Sequence, residues 1–211
     1  MGKRMYKIGI TGGIGSGKTK CLSYLSTLPR IYTINLDLFG HEVYRLNPTV
    51  LRNLAALFGP DVVRWQGSDI LGIDRELLGQ VAFKSDYHLH VLKTLVSPEI
   101  KKLLHETMQE VEHRHSDDYD IIAVEGAVLI EQRTFLMLDE LWVTTLSKRD
   151  ALDRVLKRNP NLTEDHVRDR LDRQIDDTER LKYASFHYDT SDRTPFEQNK
   201  LHINERLEAL C

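Results

Sequence analysis

Gly12, Gly17, Lys18 and Thr19 stand at the spacing G-x-x-x-x-G-K-[ST], inside the run Gly12-Gly-Ile-Gly-Ser-Gly-Lys-Thr19. This is the phosphate-binding loop pattern, or P-loop, and the chemistry explains its residue types. Polyphosphate oxygens must be met by backbone N–H groups at close range. The chain therefore needs positions that can take positive φ and carry no obstructing side chain, and Gly12, Gly13, Gly15 and Gly17 supply them. Ile14 and Ser16 complete the expected cradle. Lys18 is expected to reach the β- and γ-phosphates and the Thr19 hydroxyl to ligate Mg²⁺, so ATP and Mg²⁺ are the expected ligands.

Such a cradle works only between a strand and a helix. Ile8 to Thr11 read as a short buried strand, and a helix is expected from Lys18 to about Thr27. Its N-terminal donors and positive dipole end would favour phosphate. A β-branched run, Ile31 to Ile34, predicts a second strand that stops at Asn35-Leu36-Asp37, with helical spacing resuming at Leu38. In a parallel sheet the carboxyl ends of strands border the ligand crevice, so Asp37 is expected to look into the same cleft as Lys18. An acid there can take a proton from a hydroxyl nucleophile, or it can cap the following helix. Position alone leaves both open.

The remaining elements follow the same logic. Residues 48–115 read as mainly helical, with Val50, Leu51, Leu54, Ala55 and Phe58 on one face of a helix that stops at Gly59-Pro60. Gly67 to Asp74 read as a polar turn region, with Asp74 capping a helix from about Arg75. A long helical segment from Asp86 to His115 is interrupted by Ser97-Pro98, where the proline either starts a new helix or kinks one. Tyr119 to Val124, ending in Glu125, and Leu141 to Thr145 predict buried parallel strands. Ala184 to Asp189 predict the last strand, and Phe196 to Leu210 a terminal helix. A short helix is expected near 132–138 and a longer one from Lys148 to Arg158. The order predicts an α/β fold of the P-loop NTPase type: a doubly wound parallel sheet of about five strands with an inserted helical subdomain and a helical lid.

The lid reading comes from residues 148–182, which are dense in charge. Arg154 and Arg158 lie one turn apart, Asn159-Pro160-Asn161 breaks the helix, and Thr163-Glu-Asp-His166 resembles a capped start. A mobile helical hairpin could bring Arg158 over a transferred phosphoryl group. The alternative is a solvated face laced with ion pairs.

Composition excludes other classes. In 211 residues with a net charge of −3 there is no electrostatic footprint for nucleic acid or an anionic membrane. Two cysteines, Cys21 and Cys211, make no disulfide framework. Cys21 reads as a small buried apolar residue, or as a thiol whose pKa a helix N-terminus lowers. Nine histidines show no metal-ligand spacing. No apolar run suits a signal peptide or a membrane span, so the expected location is cytoplasmic, with an organelle left open.

These residues, in this order, resemble the dephospho-CoA kinase family. Beyond the P-loop, the resemblance rests on Ile73-Asp74-Arg75 through Val81-Ala-Phe83 and on Leu95-Val-Ser97-Pro98-Glu-Ile100. It also rests on Glu125-Gly-Ala127-Val-Leu129-Ile-Glu131, on Arg154 to Gln174, and on Tyr188-Asp189-Thr190-Ser191. It implies one kinase domain over 1–211, with a nucleotide-binding core of 5–47, 117–150 and 184–211. Residues 48–116 would then be the helical acceptor subdomain and 151–182 the lid. The implied reaction moves the γ-phosphoryl of ATP to the ribose 3′-hydroxyl of dephospho-CoA, with Asp37 as base and Lys18 and Arg158 as the cations. Asp37, Arg75, Glu125 and Glu131 are implied on the acceptor side. Partners are then the two small-molecule substrates. The chain departs from the family pattern at Asn35, Ser97, Glu125, Ala127 and Thr190. Two alternatives share these features: another P-loop small-molecule or nucleoside kinase, and an inactive nucleotide-binding paralogue.

Overall fold

The computed structural model describes residues 4–82, 84–191 and 196–210, without the side chains of His41, Arg45, Leu46 and Arg75. Phe83, Cys211 and the Arg75 side chain, on which parts of the sequence reading fall, therefore lie outside the described residues. The chain divides into two compact units, residues 1–35 with 111–211, and residues 36–110.

In the first unit, strand β1 (Tyr6–Gly12) is buried from Ile8 onward, as a central parallel strand must be. Helix α1 (Lys18–Leu25) turns Cys21, Leu22 and Leu25 inward, and strand β2 (Ile31–Asn35) follows. Burial pushes the Cys21 thiol up to about 12, so it stays protonated at neutral pH. Of the two readings of this cysteine, the inert apolar one holds.

The second unit opens with helix α2 (Leu36–Leu46), which starts directly at the end of β2. Helix α3 (Pro48–Phe58) has its expected bounds because both ends are signalled. Asn47 caps Thr49 and Val50 N–H, Pro48 suits the first turn, and Gly59 sits at φ 100 where the helix stops. The region from Gly67 to Asp74 is not a simple turn. Strands β3 (Val63–Gln66) and β4 (Asp69–Ile73) pair antiparallel, with Gly67 at φ 62 in the tight connection. Asp74 Oδ1 accepts from Leu77 N–H at 2.9 Å at the start of helix α4 (Arg75–Ala82), as expected. Helix α5 (Asp86–Arg114) runs unbroken through Pro98, although the proline removes one backbone donor. The core of this unit joins Val50, Leu54, Val63, Ile73, Leu78 and Val96.

The last turn of α5 belongs to the first unit, where Glu112 pairs with Lys7 and accepts from Met5 N–H at 3.2 Å. Strands β5 (Ile121–Glu125) and β6 (Glu140–Thr145) follow. A single 3₁₀ turn, Thr134–Met137, stands where a short helix was expected. Helices α6 (Lys148–Arg158), α7 (Glu164–Asp172) and α8 (Asp177–Leu181) precede strand β7 (Phe186–Asp189) and helix α9 (Phe196–Glu208). The sheet is the predicted five-stranded parallel one, in the order β2-β5-β1-β6-β7. Cys21, Leu22 and Leu25 of α1 and Ile203 of α9 pack with Ile8, Ile10 and Trp142 of the strands. Because β1 is central, Glu125 pairs in register with Ile10 and Thr144 with Gly12, so both neighbours end beside the loop. Among the described residues no helix is long and apolar enough to cross a membrane.

Candidate active site

Three of the contacts that hold the loop between β1 and α1 lie within it and against β6. Ser16 Oγ and Thr144 Oγ1 are 2.7 Å apart, Ser16 N–H donates to the Gly13 carbonyl at 3.2 Å, and Lys18 Nζ donates to that carbonyl at 2.9 Å. Gly15 and Gly17 occupy the left-handed region, at φ 78 and 86. Gly13 does not adopt positive φ, contrary to the expectation for the whole glycine set. Gly12 is required for a different reason: a Cβ there would lie 2.4 Å from the Thr144 carbonyl oxygen. Gly12→Ala is therefore expected to force β1 from β6 and destabilise the fold by roughly 2–3 kcal/mol. In a chain of this size that is a fall of about 4–12 °C in Tm. Gly13→Ala, whose Cβ would meet nothing nearer than 3.5 Å, should melt like the parent in the same calorimetric scan.

Helix α1 begins after Gly17 with no side-chain cap, so its first N–H groups face the loop. The Thr19 hydroxyl donates to Glu125 Oε1 at 3.0 Å, and Glu125 is only 3% exposed. The resemblance placed Glu125 with the acceptor, whereas the structure brings it to Thr19. These are two hard oxygen donors side by side, the ligand type Mg²⁺ prefers. Among the described residues no cluster of three or more His, Cys, Asp or Glu could hold a metal. Phosphate oxygens and water would have to complete the shell, as they commonly do for Mg²⁺.

The far wall comes from the end of the chain. Ile14 packs with Leu152, Val155, Val167 and Leu171 of α6 and α7, so the α6–α7 hairpin rests on the loop. Gln174 Oε1 accepts from Ile14 N–H at 2.9 Å. Thr190 Oγ1 donates to the Ser16 carbonyl at 2.9 Å and accepts from Arg154 Nη1 at 3.3 Å. A cavity of about 320 Å³ opens here, lined by Gly13, Ser16, Gln174, Asp177, Arg180 and Asp189 among others.

Other expected residues lie elsewhere. Arg158, in the last turn of α6, is exposed and lines a separate recess with Arg170. Part of the charge on the hairpin is solvated pairing, Lys148 with Asp172 and Arg168 with Glu164. Glu131 is exposed on the turn after β5. Asp37 stands exposed in the first turn of α2. Gln174 closes the family-like segment that starts at Arg154, and no local sequence signal marks it or Arg180 as a site residue. Only the Q-to-loop and R-to-loop contacts across more than a hundred residues expose them.

The dephospho-CoA kinase family model matches residues 6–195. The chain belongs to that family. A dephospho-CoA kinase of Dehalococcoides mccartyi is 32% identical over 95% of this chain and 98% of its own length. That of Moorella thermoacetica is 29% identical over 86% and 82%. Among solved structures, the Thermus thermophilus protein TT1252 superposes with a TM-score of 0.78 at 25% identity, covering 99% of this chain and all of its own. A Campylobacter jejuni dephospho-CoA kinase reaches 0.65 at 21%, covering 95% and 96%, and so agrees in fold. Within the dephospho-CoA kinase pattern, the departure at Thr190 keeps a hydrogen-bonding side chain. Here that side chain ties the end of β7 to the P-loop.

Proposed function

We propose that the chain transfers the γ-phosphoryl of ATP to the ribose 3′-hydroxyl of dephospho-CoA, giving coenzyme A and ADP. The observation that carries this reading is the family match from residue 6 to 195, which runs through the P-loop, Asp37 and the whole second unit. In the mechanism we assign, Asp37 takes the hydroxyl proton as the 3′-oxygen attacks in line. The new O–P bond forms as the bond from the γ-phosphorus to the β-phosphate oxygen breaks, and ADP leaves. Lys18 and the α1 N-terminus hold the phosphates through charge and backbone N–H donation. Thr19 and Glu125 would hold Mg²⁺, which, when bound, neutralises phosphate charge. Residues 36–110 carry the acceptor-binding role and 151–182 the lid, and Arg158 reaches the phosphoryl only through closure of that lid. The environment of Thr190 supports an active enzyme over an inactive paralogue, since the substituted side chain braces the loop.

The test is ADP release in the presence of dephospho-CoA, repeated with coenzyme A, whose 3′-position is already phosphorylated. Release with the first and background with the second is the expected result. Release with a different alcohol and none with dephospho-CoA would assign the chain to another small-molecule kinase activity.

A further inference from the structure

A guanidinium carries five N–H donors on a planar fork and stays charged at every physiological pH. Burying one is costly unless its donors find acceptors, so a buried arginine with idle donors calls for an explanation. Arg180 is such a residue. It is 3% exposed, at the end of a five-residue helix whose start is fixed by Asp176 accepting from Thr178 N–H at 2.9 Å. Its Nη1 donates to Asp177 Oδ1 at 2.6 Å. Its Nε and Nη2 are buried and have no hydrogen-bond partner among the described residues.

Those idle donors belong to a side chain that lines the P-loop cavity. Arg180 Nη1 lies 3.5 Å from where a Cβ on Gly13 would be, so the guanidinium sits against the backbone of the cradle. Among the described residues three carboxylates line the same cavity, and each has a donor of its own. Asp176 is bound to Thr178 N–H, Asp177 to Arg180 and to Leu146 N–H, and Asp189 to Ser191. Asp177 also fixes the fork, because one oxygen grips Nη1 while the other is held by the backbone at 3.3 Å. The result is a preset cation with a donor edge to spare, beside a loop whose own donors suit phosphate.

We propose that Arg180 is a phosphate ligand of the bound nucleotide. Its Nε–H and Nη2–H edge donates to polyphosphate oxygens as the second fixed cation of the site beside Lys18. A planar fork meeting two oxygens of one phosphate is the geometry for which arginine is best suited. The proposal rests on the reading that this cavity takes ATP.

The experiment measures MgATP and inorganic tripolyphosphate affinity by displacement of a fluorescent ATP analogue, in the wild type, Arg180→Met and Arg180→Lys. Arg180→Met is expected to weaken both ligands by about 10–100-fold, the worth of hydrogen bonds to a charged group. Arg180→Lys keeps the charge that Asp177 pairs with but lacks the Nε–H edge. It should fold even where the methionine variant does not, and should still weaken both ligands at least about fivefold. Wild-type affinity in Arg180→Lys, together with a lowered ligand-free Tm, would make Arg180 a scaffold residue and overturn the proposal. Weakened ATP with unchanged tripolyphosphate would place the guanidinium on the nucleoside and overturn it as well. Failure of the wild type to bind ATP would sink the functional reading along with it. Normal wild-type binding with unaffected variants would sink the Arg180 assignment alone.

Discussion

Lys18→Met is expected to lower acceptor-dependent ADP release by about 10²–10³-fold, the cost of removing one preorganised charge from a developing phosphoryl transition state. Lys18 is 9% exposed, and its ammonium is held 2.9 Å from the Gly13 carbonyl, inside the loop rather than out in solvent. A charge fixed in such surroundings interacts more strongly with phosphate than the same charge in water would. The folded state loses little by comparison. One net hydrogen bond is worth about 1 kcal/mol, and in a chain of this size that is a shift of about 2–4 °C in Tm. Activity and stability therefore separate, which a purely structural lysine would not allow. Lys18→Arg should not rescue turnover, because a planar fork cannot occupy the place of a compact ammonium in a site this enclosed. Turnover of Lys18→Met within about tenfold of the parent, in a variant that melts normally, would remove Lys18 from the phosphoryl site.

How much of this site could be read from the chain depends on how far apart in sequence its parts lie. The cradle, its strand and its helix are contiguous, so spacing and apolar runs specify them. Helices α3 and α6 were likewise legible, because cap, apolar face and breaker all lie within a dozen residues. The β3–β4 hairpin was not. Its strands carry exposed polar residues at Arg64, Gln66 and Asp69, and its connection through Gly67 and Ser68 looks like any polar turn. The start of α2 lies two residues before the point where helical spacing resumes in the sequence, because the helix takes over directly from β2 and Asp37, the residue with a capping side chain, falls inside its first turn. Hardest of all were Gln174 and Arg180. Their importance exists only through contact with Ile14 and Gly13 at the other end of the chain, and nothing local distinguishes Arg180 from the arginines that merely face water. Glu125 shows the intermediate case. An acid ending a buried strand was visible, but its partnership with Thr19 depends on β5 lying next to β1.

Asp37→Asn is expected to lower acceptor-dependent turnover by about 10²–10⁴-fold, the range of a lost general base, while ATP affinity stays within about threefold of the parent. Asparagine keeps the size of the side chain and its ability to hydrogen-bond, but at neutral pH it cannot take a proton from the 3′-hydroxyl. Asp37 stands in the first turn of α2, two residues beyond Asn35, whose register partner at the end of β5 is Glu125. An acid in a first turn also stabilises its helix through the dipole, by about 0.3–1 kcal/mol. If that were its whole role, the substitution would cost at most a few degrees in Tm and leave turnover untouched. The two roles thus move different readouts, kcat in one case and melting temperature in the other. ADP release to water in the absence of acceptor sharpens the distinction. A base that serves the ribose hydroxyl is needed only when that hydroxyl is the nucleophile, so the loss should be confined to the reaction with dephospho-CoA. An Asp37→Asn enzyme that phosphorylates dephospho-CoA at the parental rate would take the proton-accepting role away from this carboxylate.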